Sequence, residues 1–336
     1  MKKFLILYIL LMVFGKANAQ IGNSVYSFLD LPASSRLAAF GGTNVSLLDG
    51  DINFAFRNPA TLNAETNNVI GVNMAVYLAD IKFGTGIYGF KYRSHYFAVG
   101  MQFVDYGTFR EHNEIDVEML PFYAKDMALY LTYAYPINRH FTVGATTKPV
   151  VSVFEAYTSW GLAWDVGVHY KDTANLFSAG LVFRNAGFHF KGYYADEDGQ
   201  HREALPFGIE LGISKKLKHA PFRFSLTLHD LQRWNLNYRT TLNPPPKKPN
   251  FIDMAFRHAI VAAEFVPSQN LYIVASYNHR RYQELQMGGF RSLAGFSFGG
   301  GVKLYKFHVG FGLTQFQVGN YSYQFSISTS LSEFGL

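Results

Sequence analysis

The sequence predicts an all-β protein: a transmembrane outer-membrane β-barrel of about 14 antiparallel strands, with an N-terminal plug segment. Three observations predict it. From residue 69 onward, apolar residues alternate with small and polar ones at a period of two. The links between the alternating segments are short after even segments, and the long ones all follow odd segments. A secretory leader opens the chain, yet no later apolar run has the roughly 20 residues of a spanning helix.

The leader comes first in the chain. Lys2 and Lys3 form its positive end, residues 4–14 its apolar run, and Ala17-Asn18-Ala19 its cleavage box before Gln20. A membrane anchor is the alternative, but the apolar run is short for one. No Cys follows the box, so a lipoprotein is excluded. The expected division is a cleaved leader over 1–19, a plug over 20–68 and a barrel over 69–336.

Composition supports an exported barrel. The 336 residues include 22 Tyr, 32 Phe and 3 Trp, while charged residues are only 16%, against roughly 25% in ordinary soluble proteins. Such a chain is not disordered, and a compact enzyme with a charged surface is disfavoured. The absence of Cys excludes disulfides, cysteine nucleophiles and thiolate metal sites. Removing Lys2, Lys3 and Lys16 from the 30 Lys and Arg lowers the net charge from +6 to +3. No basic stripe stands out, so nucleic acid is not an expected partner.

Residues 20–68 do not alternate. The run from Leu31 to Gly42 reads as one short helix, capped by Ser34 or Ser35 and stopped by Gly41. Asp49-Gly50-Asp51 and Asn58-Pro59 are turn signals. A wide barrel needs filling, and this mixed segment suits that role; a loose periplasmic tail is the alternative. Arg36 is then expected to pair with a lumen carboxylate such as Asp165 or Glu210.

The alternating segments lie near 69–78, 83–93, 96–107, 126–136, 140–154, 159–171 and 176–188, then 206–216, 221–230, 258–267, 271–281, 294–305, 307–317 and 321–332. Over 97–102, 127–135, 207–214, 222–229 and 307–314 the side chains divide by parity. Over 321–332 the odd positions are Tyr321, Tyr323, Phe325, Ile327, Thr329 and Leu331, and most even positions are Ser. Short links at 94–95, 137–139, 172–175, 217–220, 268–270 and 306 follow even segments, and long ones near 108–125, 189–205, 231–257 and 282–293 follow odd ones. Short turns on one rim and long loops on the other are the outer-membrane pattern.

Side chains fill a barrel of about eight strands, but fourteen leave a wide interior. The apolar face therefore meets lipid. Asp165, Glu210, Arg223 and Lys303, with His229 and His308, are expected to face the lumen. Tyr92, Tyr106, Tyr135, Trp160 and Tyr170 are expected in interfacial girdles. A soluble two-sheet sandwich shares the alternation and is the alternative architecture.

The N-terminal motif carries a resemblance. Val25-Tyr26-Ser27-Phe28-Leu29-Asp30-Leu31-Pro32, then Ser35-Arg36-Leu37-Ala38-Ala39-Phe40-Gly41-Gly42, then Asp49 and Asn58-Pro59-Ala60-Thr61-Leu62, resemble the start of the PorQ family. These are outer-membrane components of the type IX secretion system of Bacteroidetes. The segment is also similar, more loosely, to PorV and to fatty-acid-transporter barrels, which share an Asn-Pro-Ala plug element. The motif covers about forty residues of the 336, with Phe40 where a smaller aliphatic residue is expected. The resemblance implies a non-catalytic barrel holding a PorZ-like surface protein, with PorU and PorV as further attachment-complex members and lipopolysaccharide as the acceptor of cargo. It implies plug residues Arg36, Gly41, Gly42, Asp49, Asn58, Pro59 and Ala60, no cofactor, and periplasmic termini.

Chemical motifs are few. Gly84-Thr85-Gly86-Ile87-Tyr88-Gly89 matches a dinucleotide fingerprint, but a period-two strand follows where a helix is needed. Gly295-Phe296-Ser297-Phe298-Gly299 matches a nucleophile elbow but lies within a strand. Asp196-Glu197-Asp198-Gly199 with His201 is the best metal candidate, although the full calcium-loop spacing is missing. The long loops offer more. Phe109, Arg110 and Phe122, and Trp234, Tyr238, Arg239, Pro245 and Lys247, are candidate partner contacts, since aromatics and Arg are common interface anchors. Phe122 is alternatively a girdle residue or the start of a strand. The expected function is a structural anchor for a surface partner, and the alternative is a transporter of hydrophobic small molecules.

Overall fold

The computed structural model describes residues 24–77, 81–109, 121–196, 199–200, 202–236, 250–285, 293–317 and 320–335. Among these, fourteen strands close one antiparallel barrel. They are β1 (Val69–Val76), β2 (Lys82–Tyr92), β3 (His95–Phe109), β4 (Phe122–Pro136), β5 (Phe141–Phe154), β6 (Tyr157–Asp172) and β7 (Phe177–Lys191). Then come β8 (Gly208–Lys216), β9 (Phe222–Leu228), β10 (Ala259–Ser268), β11 (Leu271–Asn278), β12 (Phe296–Leu304), β13 (Phe307–Gln317) and β14 (Asn320–Ser330). Each pairs with its neighbours in sequence, and β1 pairs with β14 from Val69 opposite Ser330 to Val76 opposite Tyr323. Closure leaves no free sheet edge, which a membrane demands of a β-structure.

The alternation sorts side chains as the sequence predicts. On β1, Val69, Gly71, Asn73 and Ala75 point inward, while Ile70, Val72, Met74 and Val76 point outward. Met74 is 54% exposed and Asn73 is 5% exposed. Polar residues fill the inward face of other strands, among them Gln102, Thr146, Asp165, Glu210 and Glu264. The outward face carries the large apolar residues, so the barrel is apolar outside and polar within. No helix among the described residues is long and apolar enough to cross a membrane.

Tyr92, Tyr135 and Trp160 point outward and are exposed. Tyr106 does not: its hydroxyl donates to Asp126 Oδ2 at 2.7 Å. It shares the parity of the buried Gln102 and Val104, and a register shift between Asp105 and Thr108 ends that stretch of ladder. The girdle expectation fails there because parity, not distance from the strand end, sets the direction of a side chain. His308 has the inward parity of Gly310 and Gly312 but is exposed near the end of β13.

Long links follow β3, β7, β9 and β11, and tight turns follow β2, β4, β6, β8, β10 and β12. Two long links hold helices that the strand pattern did not announce, α2 (Phe251–Arg257) and α3 (His279–Leu285). Asn250 caps α2, its Oδ1 accepting from Asp253 N at 2.7 Å. A third link carries a small hairpin pairing residues 195–196 with 199–200.

Residues 24–68 lie inside the barrel. Helix α1 (Ser35–Ala39) packs against β12, β13 and β14, and the turn over Pro59–Thr61 packs against β4, β5 and β6. Of the two caps expected, Ser34 caps α1 through Leu37 N, and the helix is shorter than the expected run from Leu31 to Gly42. Gly41 and Gly42 then take φ of +80° and +110°, returning their amides to Ala38 O and Leu37 O. A left-handed glycine pair is an economical helix stop. Leu29, Leu37, Phe40, Leu47, Ile52 and Phe54 of this segment are buried together. The apolar core of the molecule is thus supplied largely by its N-terminus, set within a polar wall.

Candidate functional site: the filled lumen and its rim

The Asn-Pro-Ala element rests on glycines. Asn58 Oδ1 caps the following turn by accepting from Ala60 N at 3.0 Å, and Asn58 Nδ2 donates to Val45 O at 2.8 Å. Beneath it lie Gly144 of β5, Gly167 of β6 and Gly180 of β7. A Cβ on Gly144 would stand 2.7 Å from Ala60 N, and one on Gly180 would strike Val45 O. Gly312 of β13 similarly gives way to Ser35 O. The lumen glycines let backbone meet backbone, which no other residue permits at these distances.

The expected ion pair of Arg36 has different partners. Its guanidinium meets Asp49 at 2.6 Å and Asp51 at 3.4 Å within its own segment, and Glu264 of β10 at 2.8 Å. Arg223 of β9 pairs with the same Asp49 at 2.8 Å and with Glu264. The Arg36 guanidinium also lies over the Tyr272 ring, 4.3 Å from its centroid. Asp165 and Glu210, the partners expected from sequence, are taken by other cations. The sequence told which residues carry inward charge but not their positions around the ring. Burial alone would raise the Asp49 carboxyl, but Arg36 and then Arg223 outweigh it and hold it well below the usual carboxylate range.

A second cluster joins the segment to β5–β8. Lys148 meets Asp165 at 2.6 Å and donates to Asn185 Oδ1 at 2.8 Å, while Asn185 N donates to Asp165 Oδ1 at 2.8 Å. Arg184 meets Glu210 at 2.9 Å and Asp30 at 3.2 Å, and Thr43 Oγ1 donates to Glu210 at 2.5 Å. Buried charges in such numbers are tolerable only because each is answered by an opposite charge or a hydrogen bond. Arg57, 3% exposed, donates to Asp30 O at 2.6 Å. Burial lowers its pKa from the usual arginine value to about 10.

The rim candidates are placed unevenly. Phe109 and Phe122 belong to the wall, at the facing ends of β3 and β4, where their rings stack at 5.1 Å. For Phe122 this is the strand-start alternative. Trp234 stands on the long link after β9, 52% exposed, with Phe251 at 5.0 Å and His258 stacked at 5.4 Å. Arg110, Tyr238, Arg239, Pro245 and Lys247 lie outside the described residues. Phe251, Ile252 and Phe256 of α2 are exposed, Phe251 against Trp234, and were missed. The signal available for them was Asn250 followed three residues later by Asp253, a helix start just past the proline run.

Gly84 to Gly89 lies within β2 and Ser297 within β12. Ser297 is buried and accepts from Thr314 Oγ1 at 3.2 Å, a lumen hydrogen bond rather than an elbow. Of the acidic run, Glu197, Asp198 and His201 lie outside the described residues. Among the described residues no group of three His, Asp or Glu is arranged to hold a metal ion.

Fold and lumen define a class: an outer-membrane-type β-barrel of 14 strands, filled by its own N-terminal segment. No family model and no curated protein matches the sequence. Solved structures do resemble it. The toluene transporter TodX of Pseudomonas putida aligns over 90% of this chain and 99% of its own, at 13% identity and a TM-score of 0.53. The monoaromatic hydrocarbon channel CymD aligns over 90% and 97%, at 13% identity and a TM-score of 0.54. A FadL homologue of Pseudomonas aeruginosa aligns over 92% and 99%, at 10% identity and a TM-score of 0.47. At these identities the likeness is one of fold, a closed β-barrel.

Proposed function

We propose that this protein is a non-catalytic outer-membrane barrel, closed by an N-terminal plug, that holds a surface protein partner on its long loops. The N-terminal motif points to the attachment complex of type IX secretion, with a PorZ-like protein as the partner, PorU and PorV as neighbours and cargo joined to lipopolysaccharide. The observation that carries the reading is the fixed lumen. Arg36, Asp49, Glu264 and Arg223 form one ion cluster, and Asp30, Arg184 and Glu210 a second. A hydrocarbon moving past the plug would have to desolvate such groups, which is costly. The exposed aromatics of α2 and Trp234 supply a docking rim. Both termini would then face the periplasm, on the side of the short turns.

The second reading is passage of hydrophobic small molecules. It is favoured by a specific observation: two similar folds with TM-scores above 0.5 are a toluene transporter and a monoaromatic hydrocarbon channel. Neither of these two structures speaks for the anchor, so on them alone transport stands ahead. The lumen chemistry and the N-terminal motif support the anchor.

One experiment separates the two. The tagged protein is purified from native outer membranes in mild detergent, and its companions are identified by mass spectrometry. A surface protein at near-stoichiometric level, lost when residues 237–249 are deleted from an otherwise inserted barrel, supports the anchor. A lone barrel carrying a fatty acid or hydrocarbon, from a strain whose uptake fails without it, supports transport.

A further inference from the structure

Helix α2 gives its two sides different surroundings. One side is settled within the protein: Met254 is buried, its Sδ accepting from Leu236 N at 3.4 Å, and Arg257 is buried too. The other side is apolar. The exposed residues of α2 are Phe251, Ile252 and Phe256, at 74%, 64% and 58%. Ile252 and Phe256 stand four apart and so form one stripe. A helix that faces water ordinarily turns charged and polar residues toward it. Here the charges of α2 are drawn onto other groups. Arg257 Nε donates to Asp253 Oδ2 at 2.9 Å, and His279 Nε2, from α3, donates to Asp253 Oδ1 at 2.8 Å.

The stripe continues onto the wall. Phe256 meets the His279 ring edge-on at 6.1 Å, and His279 meets Tyr277 at 6.0 Å. Tyr277, near the end of β11, has the outward parity of the exposed Ile273. It is paired with Phe296 of β12, ring to ring at 4.8 Å, and Phe296 stacks with Phe298 along the same outward face. One aromatic band thus runs from α2 down the face that the barrel turns to lipid. Its polar atoms are spent on one another: the Tyr277 hydroxyl donates to His279 Nδ1 at 3.0 Å, which leaves the Nε2 proton for Asp253. The edge of a bilayer selects for such a band, amphipathic rings whose polar groups are already satisfied.

We propose that the face of α2 formed by Ile252 and Phe256 is a lipid-binding surface. It lies in the leaflet on the long-link side, against acyl chains close to the headgroups, as an upward extension of the wall. A free helix of seven residues would not persist there. This one is held in place by α3 and the start of β10, against which it packs. The assignment holds for anchor and transporter alike, because both set the barrel in an outer membrane. For the anchor it narrows the docking rim to Trp234 and Phe251, whose rings meet at 5.0 Å, and sets that rim at the level of the lipid surface.

The chain has no cysteine, so a single introduced thiol can be labelled uniquely. Ile252→Cys and Phe256→Cys, each in the full barrel and each carrying a nitroxide, are reconstituted into dioleoylphosphatidylcholine vesicles. Electron paramagnetic resonance compares their collisions with oxygen, which concentrates in hydrocarbon, and with a water-soluble nickel complex. Phe298→Cys on the outward wall is the lipid reference, and Arg202→Cys, exposed on the link after β7, is the water reference. Both α2 positions are expected to lose nickel collisions and gain oxygen collisions relative to Arg202→Cys, toward the values at Phe298→Cys. Either position serves if the other variant does not insert. Nickel collisions as frequent as at Arg202→Cys would overturn the proposal and return the whole face to a protein partner. Few collisions with either reagent would mean that the chain itself covers the face, and would overturn it as well. Frequent nickel collisions at Phe298→Cys would overturn the membrane placement of the wall, and this surface with it.

Discussion

Arg36 brings three carboxylates to one guanidinium, and two of them come from its own segment. The third, Glu264, is fully buried on β10, so the pair fixes the segment to the wall rather than merely folding it. Arg36→Ala leaves Glu264 with Arg223 alone and strips Asp49 of its nearest cation. Removing one partner of a buried pair costs roughly 3 kcal/mol or more. The expected result is a barrel that still inserts but whose N-terminal segment is cut by added protease far faster than in the native protein. The same cluster sets a pH dependence. Asp49 is held below its unfolded value, so its contribution is complete above the unfolded carboxylate pKa, about 3.9. It falls away as the pH drops below that value toward the depressed folded one. Protease accessibility of residues 24–68 should therefore rise below about pH 4, the unfolded carboxylate value, and Asp49→Asn should flatten that part of the profile. A profile unchanged by Asp49→Asn would remove this cluster as the acid-labile latch.

At the scale of elements, the wall and the plug were legible to different degrees. All fourteen strands stand within a few residues of where alternation puts them, because a half-lipid, half-lumen surface writes its period directly into the sequence. Short turns and long links kept their parity for the same reason: each reversal of the chain changes rim. Helix α1, its Ser34 cap and its glycine stop were readable because capping is local. Helices α2 and α3 were not, since seven residues carry too few periods to stand out inside a link. The partners of Arg36 were not readable either. Which inward carboxylate faces which plug residue depends on strand positions around the ring, a tertiary fact. The glycine floor was not readable either, since it depends on which strand positions meet the segment. Gly180→Val should push Val45 and the Asn58 cap away from β7, at the roughly 1–3 kcal/mol usual for overpacking. Gly86→Val, where a side chain would meet nothing, is the matched control. Protease resistance of residues 24–68 should fall for Gly180→Val and hold for Gly86→Val. Equal behaviour of the two would mean that the floor does not bear on the segment.

The molecule as a whole is two nested structures with separate sources of stability. The wall satisfies its own backbone through fourteen antiparallel pairings, β1 to β14 included, and turns its apolar face to lipid. The N-terminal segment brings its own apolar core and joins the wall through ion clusters, glycine contacts and scattered hydrogen bonds such as Gln102 Nε2 to Phe28 O at 2.8 Å. Nothing in the ladder of the wall depends on the segment. Deletion of residues 24–66 should therefore leave a barrel that inserts and keeps its folded gel mobility. Water can take over the lumen groups thus uncovered, Glu264, Glu210, Arg184 and Gln102, because all are polar and face an interior that fourteen strands hold wide. The expected change is electrical. In planar bilayers the native protein should be nearly silent and the deleted one should conduct in large, steady steps, with Arg36→Ala between them as brief openings. Steady large conductance from the native protein would show that the segment does not close the lumen, and the anchor reading would lose the observation on which it rests. A deleted barrel that inserts yet stays silent would place the seal in the long links instead.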